Sequence, residues 1–332
     1  FKACNEFKAK IFVLCTTEKS KKIIKKIAKK IKFTSHINYV PFTKNLASKI
    51  ALLPMIIISL TVFVGCIIYS FVYSLTGSKL IPAFSYVGFK QYERLFKSRK
   101  WDVAVENIFI YGVVFTVGCL IIGFLLAVLI DQKIRGESLF RTIFLYPYAM
   151  SFVVTGLVWK WVLNPTFGLE HSMHLWGFEW FQLDWLVNRE LAIYAVCIAA
   201  VWQGAGFVMV LMLAGLRGID EDIWKSLSIE GVPKWKSYLF VILPMIRPMV
   251  VTSLVLIAAG VVKVYDLILA LTSGGPGYAT TTPAMYVMEN FFSRANLGQA
   301  FAASIIMFLS VVCILAPWAF YEFYYRSKEA KA

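Results

Sequence analysis

The chain has 332 residues, 59% of them hydrophobic and 16% charged, with a mean hydropathy of +0.69. Soluble domains average about 45–50% apolar and about 25% charged, so this composition excludes an ordinary soluble fold and fits an integral membrane protein. The net charge of +15 is concentrated locally, which points to the membrane surface as its partner and not to nucleic acid.

Residues 1–48 read as a basic cytoplasmic tail. The first 50 residues hold 13 Lys against two Glu. Within them "KKIIKKIAKKIK" (21–32) repeats lysine pairs and apolar residues, as a basic amphipathic helix does. It reads either as an anchor on anionic lipid or as a solvated tail. It lacks an apolar run followed by a small-residue cleavage site, so it does not read as a signal peptide.

Six apolar runs follow, at about 51–75, 105–130, 139–163, 191–216, 247–270 and 300–324. Each is long enough to cross about 30 Å of hydrocarbon as a helix. Pro54, Pro147, Gly204, Gly206 and Pro317 fall inside them, which packed spans tolerate. The reading is all-α, with a transmembrane domain at 49–326 and a short tail at 327–332. With the N-terminus inside, Lys and Arg number 24 on the inner side and 9 on the outer side. The positive-inside bias therefore predicts N-in and C-in. The loop at 164–190 is acidic and carries Trp176, Trp180 and Trp185, a composition that suits an outer interface.

The cysteines (4, 15, 66, 119, 197 and 313) contain no C-x-x-C pair and read as small apolar residues. His171 and His174 could share a helical face, but no acid or Cys is spaced to complete a metal site. No metal and no bound cofactor is expected.

That topology places 217–246 in the cytoplasm as a polar connector. Asp220 and Glu221 suit a helix start. Ile223, Leu227 and Ile229 can line one face. Gly231 breaks the helix, Pro233 restarts one, and Trp235, Leu239 and Ile242 recur at about helical spacing until Pro244. The residues alone allow two readings, an interfacial connector or a docking elbow.

This connector resembles the loop that ABC-importer permeases carry, written EAA-x3-G-x9-I-x-L-P. Gly231, Val241, Leu243 and Pro244 occupy the matching positions, Glu230 precedes the glycine, and Lys225-Ser226-Leu227 replaces the EAA triplet. "LAGLRGIDEDIW", "LTSGGPGYATTTPAMYVMENFF", "RGESLFRTIFLYPYAMSFVVTGLVWKWVLNP" and "DWLVN" are similar to carbohydrate-uptake permeases, nearest to the maltose and α-glucoside type, over roughly 45–326. The resemblance implies a permease subunit in the bacterial inner membrane, paired with a second permease subunit. It also implies two copies of an ABC ATPase and an extracytoplasmic sugar-binding protein. In such permeases the elbow seats in the ATPase. This chain has no G-x-x-x-x-G-K-[ST] phosphate loop, so ATP is expected to be used by the partner and not here.

Two stretches are candidates for the sugar path. "WQGAGF" (202–207) offers Trp202, Gln203, Gly204 and Phe207, which combine aromatic faces with an amide, as sugar recognition requires. A helix-packing surface is the competing reading. Lys263, Tyr265 and Asp266 lie in the fifth run, with Lys263 and Asp266 three residues apart on one expected helical face. They would line a polar path or staple the span near its outer end. "TSGGPG" (272–277) lacks the lysine of a phosphate cradle and reads as a rigid outer turn. The loops 76–104 and 271–299 are candidates to touch the binding protein. A secondary carrier or channel for a small polar solute is the alternative; it would call for inverted repeats and acid or His relays within the membrane.

Overall fold

A computed structural model describes residues 46–79, 85–132 and 134–329. The basic helix expected at 21–32 lies outside the described residues, as do Cys4, Cys15 and His36. The chain divides into two units, 1–66 and 67–332. Among the described residues every regular element is helical, apart from one isolated bridge between Thr76 and Tyr86.

α1 (Leu46–Ser74) starts in the first unit and ends in the second. From Ile50 on it is strongly apolar, contains Pro54, and exposes most of its side chains. Short α2 (Lys90–Phe96) precedes α3 (Arg99–Asp131), which contains the second apolar run whole. The third run is α4 (Glu137–Ala149) and α5 (Phe152–Val162), bent by 100° at Met150–Ser151. α6 (Leu169–Leu175) and a 3-10 turn at Asp184–Leu186 lie in the loop before α7 (Ala192–Arg217). α8 (Glu221–Ile229), α9 (Lys234–Met245), α10 (Arg247–Val262), α11 (Asp266–Leu271), α12 (Pro283–Met288) and α13 (Leu297–Glu329) complete the second unit.

Three helices are long and apolar enough to cross a membrane singly: Ile50–Ser74 of α1, α3 and α7. Two bent pairs meet the same test together, α4 with α5 and α9 with α10, the second bent by 73°. The fifth run, expected as one helix over 247–270, is in fact α10 and α11 with a break at Lys263–Tyr265. Lys263 caps α10, and Tyr265 takes φ −140° and ψ −59°, which no helix continues. Lys263 and Asp266 therefore do not share a helical face, contrary to the sequence expectation.

α7 is the axis of the second unit. Ala199, Ala200, Val208, Met209, Met212 and Leu216 are buried along it, and the core joins it to α3, α10 and α11. Lipid tails are as apolar as leucine, so helices in a membrane associate through close packing and not through hydrophobic burial. Small residues make this approach possible. A Cβ at Gly123 of α3 would meet Val208 at 2.7 Å, and one at Gly206 of α7 would fall 2.0 Å from the Phe144 carbonyl oxygen of α4. At the opposite end of α4, Glu137 accepts a 2.6 Å ion pair from Arg217 at the end of α7.

The 100° bend frees backbone groups inside an apolar region, and they are taken up. Gln203 of α7 donates from Nε2 to the Met150 carbonyl at 2.8 Å, and Ser151 caps α5 by accepting from Val154 N at 3.3 Å. Gly206→Ala would push α4 off α7 and cost about 1–3 kcal/mol as an overpacked contact. The expected outcome is a lower thermal midpoint in detergent; an unchanged midpoint would show that the bend relaxes freely.

Candidate functional site

Two places combine exposure with polar or irregular structure. The first is the elbow between α8 and α9. Asp220 caps α8 by accepting from Asp222 N at 3.2 Å, with Glu221 and Asp222 in the first turn, as the helix dipole favours. Gly231 adopts φ +69°, a left-handed conformation that L side chains rarely take, and nothing lies within 4 Å of where its Cβ would be. Pro233 caps α9 from outside; it does not lie in the first helical turn as expected. Pro244 also sits inside α9, and the chain turns only at Ile246.

The inward face of the elbow differs from the expected stripes. Ile223, Trp224 and Leu227 pack against the core, but Ile229 is 86% exposed. In α9 the buried residues are Ser237, Tyr238 and Ile242, while Trp235 and Leu239 are exposed. A π-helical turn at Ser237–Ile242 widens the spiral and shifts the register away from the expected one. Of the motif residues, Glu230 caps the end of α8 and stays exposed; Val241 and Leu243 are half-buried.

Sequence reasoning missed what holds the elbow. Tyr238 Oη donates to Asp131 Oδ2 at 3.2 Å and accepts from Gln132 Nε2 at 2.9 Å. Its ring lies 5.1 Å from that of Trp224. A cavity of about 170 Å³ lies in the crook, lined by Gln132, Ser228, Lys234 and Ser237 among others. The available signal was the polar pair Asp131-Gln132 ending an apolar run.

The second place is the break at Lys263–Tyr265. Lys263, Tyr265 and Asp266 come together on an open cavity of about 390 Å³, with Ala284, Val287 and Met288 of α12 and Ser304 and Met307 of α13. Among the described residues no ion pair or hydrogen bond engages the Lys263 or Asp266 side chain. The Val264 carbonyl, freed by the break, accepts from Thr282 Oγ1 at 3.1 Å. Thr272 and Thr280 hydroxyls meet at 2.7 Å, and Thr280 donates to the Gly275 carbonyl at 2.9 Å, so the 272–277 turn is internally held.

The "WQGAGF" residues do not join this cavity. Gln203 is buried at the bend, Gly204 packs on Phe115 and Cys119, and Phe207 stacks on Tyr148 at 4.7 Å. Trp202 stays partly exposed beside Trp159, on a separate apolar groove between α3, α4, α5 and α7.

The wall formed by α12 is tied to α3 by charge. Glu289, just beyond α12, accepts a hydrogen bond from Lys100 and a 3.0 Å ion pair from Arg294. Burial alone would raise the Glu289 carboxyl, but Lys100 and then Arg294 outweigh it and hold it below the usual carboxylate range.

The family described as binding-protein-dependent transport system inner membrane component matches residues 119–324. The chain belongs to this family. It is thus an inner membrane component, a permease. It is 30% identical to a probable ABC transporter permease protein of Pyrococcus horikoshii, over 74% of this chain and 84% of the relative. It is 28% identical to a xylose/arabinose import permease protein of Haloferax volcanii, over 82% of this chain and 86% of the relative. A crystal structure of a bacterial alginate ABC transporter, in complex with an alginate pentasaccharide-bound periplasmic protein, has a similar fold. The TM-score is 0.73 at 21% identity, covering 84% of this permease and 94% of that chain.

Stabilisation by the ion cluster at Glu289 is present above the unfolded carboxylate pKa, about 4.3, and is lost as pH falls through the folded value. The gap in thermal midpoint between wild type and Lys100→Met should be widest at pH 7 and close as the pH falls below about 4. A gap that ignores pH would remove Glu289 ionisation as its source.

Proposed function

We propose that this permease is the membrane-spanning subunit of an ATP-driven importer for a sugar, an α-glucoside or similar oligosaccharide. One observation carries the reading. The elbow is pinned to the core on its inner face, yet it leaves Ile229 and Trp235 exposed at its turn. Apolar side chains held out on a polar segment suit a protein partner. In this reading the partner is the ABC ATPase, two copies of which bind below this subunit and its sister permease. The ATPase uses the ATP, and its closure moves the elbow as a rigid body so that access alternates. A binding protein delivers sugar on the opposite side, and both termini are cytoplasmic, in keeping with the 24 to 9 bias in basic residues.

The sugar path runs past the break. Unwound backbone at membrane depth is tolerated where it is buried in protein or lines a watery cavity, and a charge facing lipid costs about 2.5–3.5 kcal/mol. Exposed Lys263 and Asp266 beside an open cavity meet that requirement only if the cavity is wet. Tyr265 adds a ring for the apolar face of a pyranose, and the two charges suit its hydroxyl rim. Gln203, Gly204 and Phe207 serve helix packing instead, and Trp202 lies on a separate apolar groove. The sugar class is supported by the xylose/arabinose and alginate systems named above. The α-glucoside is supported by the sequence blocks at 135–165 and 271–292.

The test uses the complete complex in proteoliposomes with radiolabelled maltotriose. Lys263→Met and Asp266→Asn should each lower uptake by about tenfold, equivalent to about 1.4 kcal/mol, with the ATPase still bound. Full uptake would take the break out of the path. Ile229→Asp should weaken retention of the ATPase by about ten- to a hundredfold, the equivalent of the 1.5–3 kcal/mol an isoleucine gains on burial. Gly231→Val, which forces a β-branched residue to positive φ, should abolish stimulated hydrolysis without releasing the ATPase. Normal retention and stimulation in both elbow variants would exclude the docking role.

A further inference from the structure

Three elements meet at Tyr238. Its hydroxyl bonds to Asp131 and Gln132, the last residue of α3 and the one that follows, and its ring lies against Trp224 of α8. Lys234, earlier on α9, reaches Gln132 Oε1 at 3.4 Å. Tyr238 itself is 8% exposed and lies in the π-helical turn. Such single turns recur at functional positions because they re-aim a side chain out of α-helical register. One turn later Ile242 is fully buried in the core. The two anchors differ in kind. Ile242 makes apolar contacts that slide at little cost, whereas the Tyr238 hydroxyl fixes a direction between elbow and helix.

α3 is the helix through which such a hold matters. Its 33 residues span about 50 Å at 1.5 Å per residue. Its far end carries Lys100, which is bonded to Glu289 beyond the α12 wall of the break cavity. A displacement entering at Asp131 therefore reaches the cavity through one continuous helix.

We infer that Tyr238 is a positioning residue that locks the elbow to the inner end of α3, so that both move as one body when the ATPase closes. This rests on the docking reading of the elbow. Tyr238→Phe removes the hydroxyl and keeps the ring on Trp224, so the fold is preserved while the lock is lost.

The test is a distance measurement by pulsed electron resonance on the complete complex, with the native cysteines replaced by alanine. Spin labels at Asp222→Cys and Arg135→Cys report the elbow and the segment after α3, both exposed positions. With Tyr238 present, the separation should be narrow and unchanged when ATP and vanadate trap the closed ATPase. In Tyr238→Phe it should broaden and shift on trapping by about 1–2 Å or more, the scale of helix shifts in switching proteins. Asp131→Leu with Gln132→Leu should reproduce this, and adding Tyr238→Phe to them should change nothing more. A rigid separation in Tyr238→Phe overturns the proposal, even with a lowered thermal midpoint, since a packing role would lower stability alone. Additive effects overturn it too. Retention of the ATPase by Ile229→Asp marks failure of the docking reading. A rigid elbow in Tyr238→Phe, with the ATPase lost from Ile229→Asp, overturns the Tyr238 inference alone.

Discussion

Inside hydrocarbon a backbone amide or carbonyl has no water to bond, and an unsatisfied one costs several kcal/mol. This permease breaks its helices within apolar sequence all the same, and two of the breaks are answered from elsewhere in the chain. The Met150 carbonyl at the 100° bend is met by Gln203, 53 residues on. The Val264 carbonyl at the break of the fifth run is met by Thr282, 18 residues on. The placement of polar side chains on neighbouring helices thus decides where the chain can unwind.

The middle of α7 shows how one short stretch serves this constraint. Gly206 admits the Phe144 carbonyl where any Cβ would collide, and Gln203, one turn earlier, holds the Met150 carbonyl. Phe207 stacks on Tyr148 on the same side of the bend. Glycine, amide and ring together hold α4 against α7 at the point where the third run folds back. A composition that suits a sugar is here engaged in holding a bend, because in a membrane the same chemistry satisfies backbone.

Much of the architecture was legible because membrane segments advertise themselves by length and apolarity. The apolar runs are mostly helical, and Gly231 marked the elbow because only glycine takes its positive φ without strain. The break at Lys263–Tyr265 was not legible. Its flanks are equally apolar, and its partner Thr282 sits in a different segment. The stripes of the elbow were misread for a related reason. Ile242 is buried as expected, but the π-helical turn at Ser237–Ile242 brings Tyr238 inward beside it and leaves Leu239 outside, and helical spacing counted at 3.6 residues cannot show that. Of the two candidate stretches for the path, the structure gathers Lys263, Tyr265 and Asp266 at one cavity, puts Gln203, Gly204 and Phe207 into packing and leaves Trp202 on a separate groove.

The departure at Lys225-Ser226-Leu227 then has a physical reading. Lys225 pairs with Asp222 at 2.9 Å on the exposed side, and Ser226 bonds back to the Asp222 carbonyl, also at 2.9 Å. Leu227 points inward, packs on the core and lines the crook beneath Tyr238. The position that anchors the elbow is thus apolar, and the charge falls on the exposed surface. An exposed Lys–Asp pair contributes little to stability, so α8 is free to vary there without loosening the elbow. Charge on that face affects partner choice more than fold, since steering and discrimination follow surface potential while the inner contacts hold the shape. The elbow therefore divides along one helix, with Trp224 and Leu227 holding it to the core and Lys225 and Ser226 left on the exposed side.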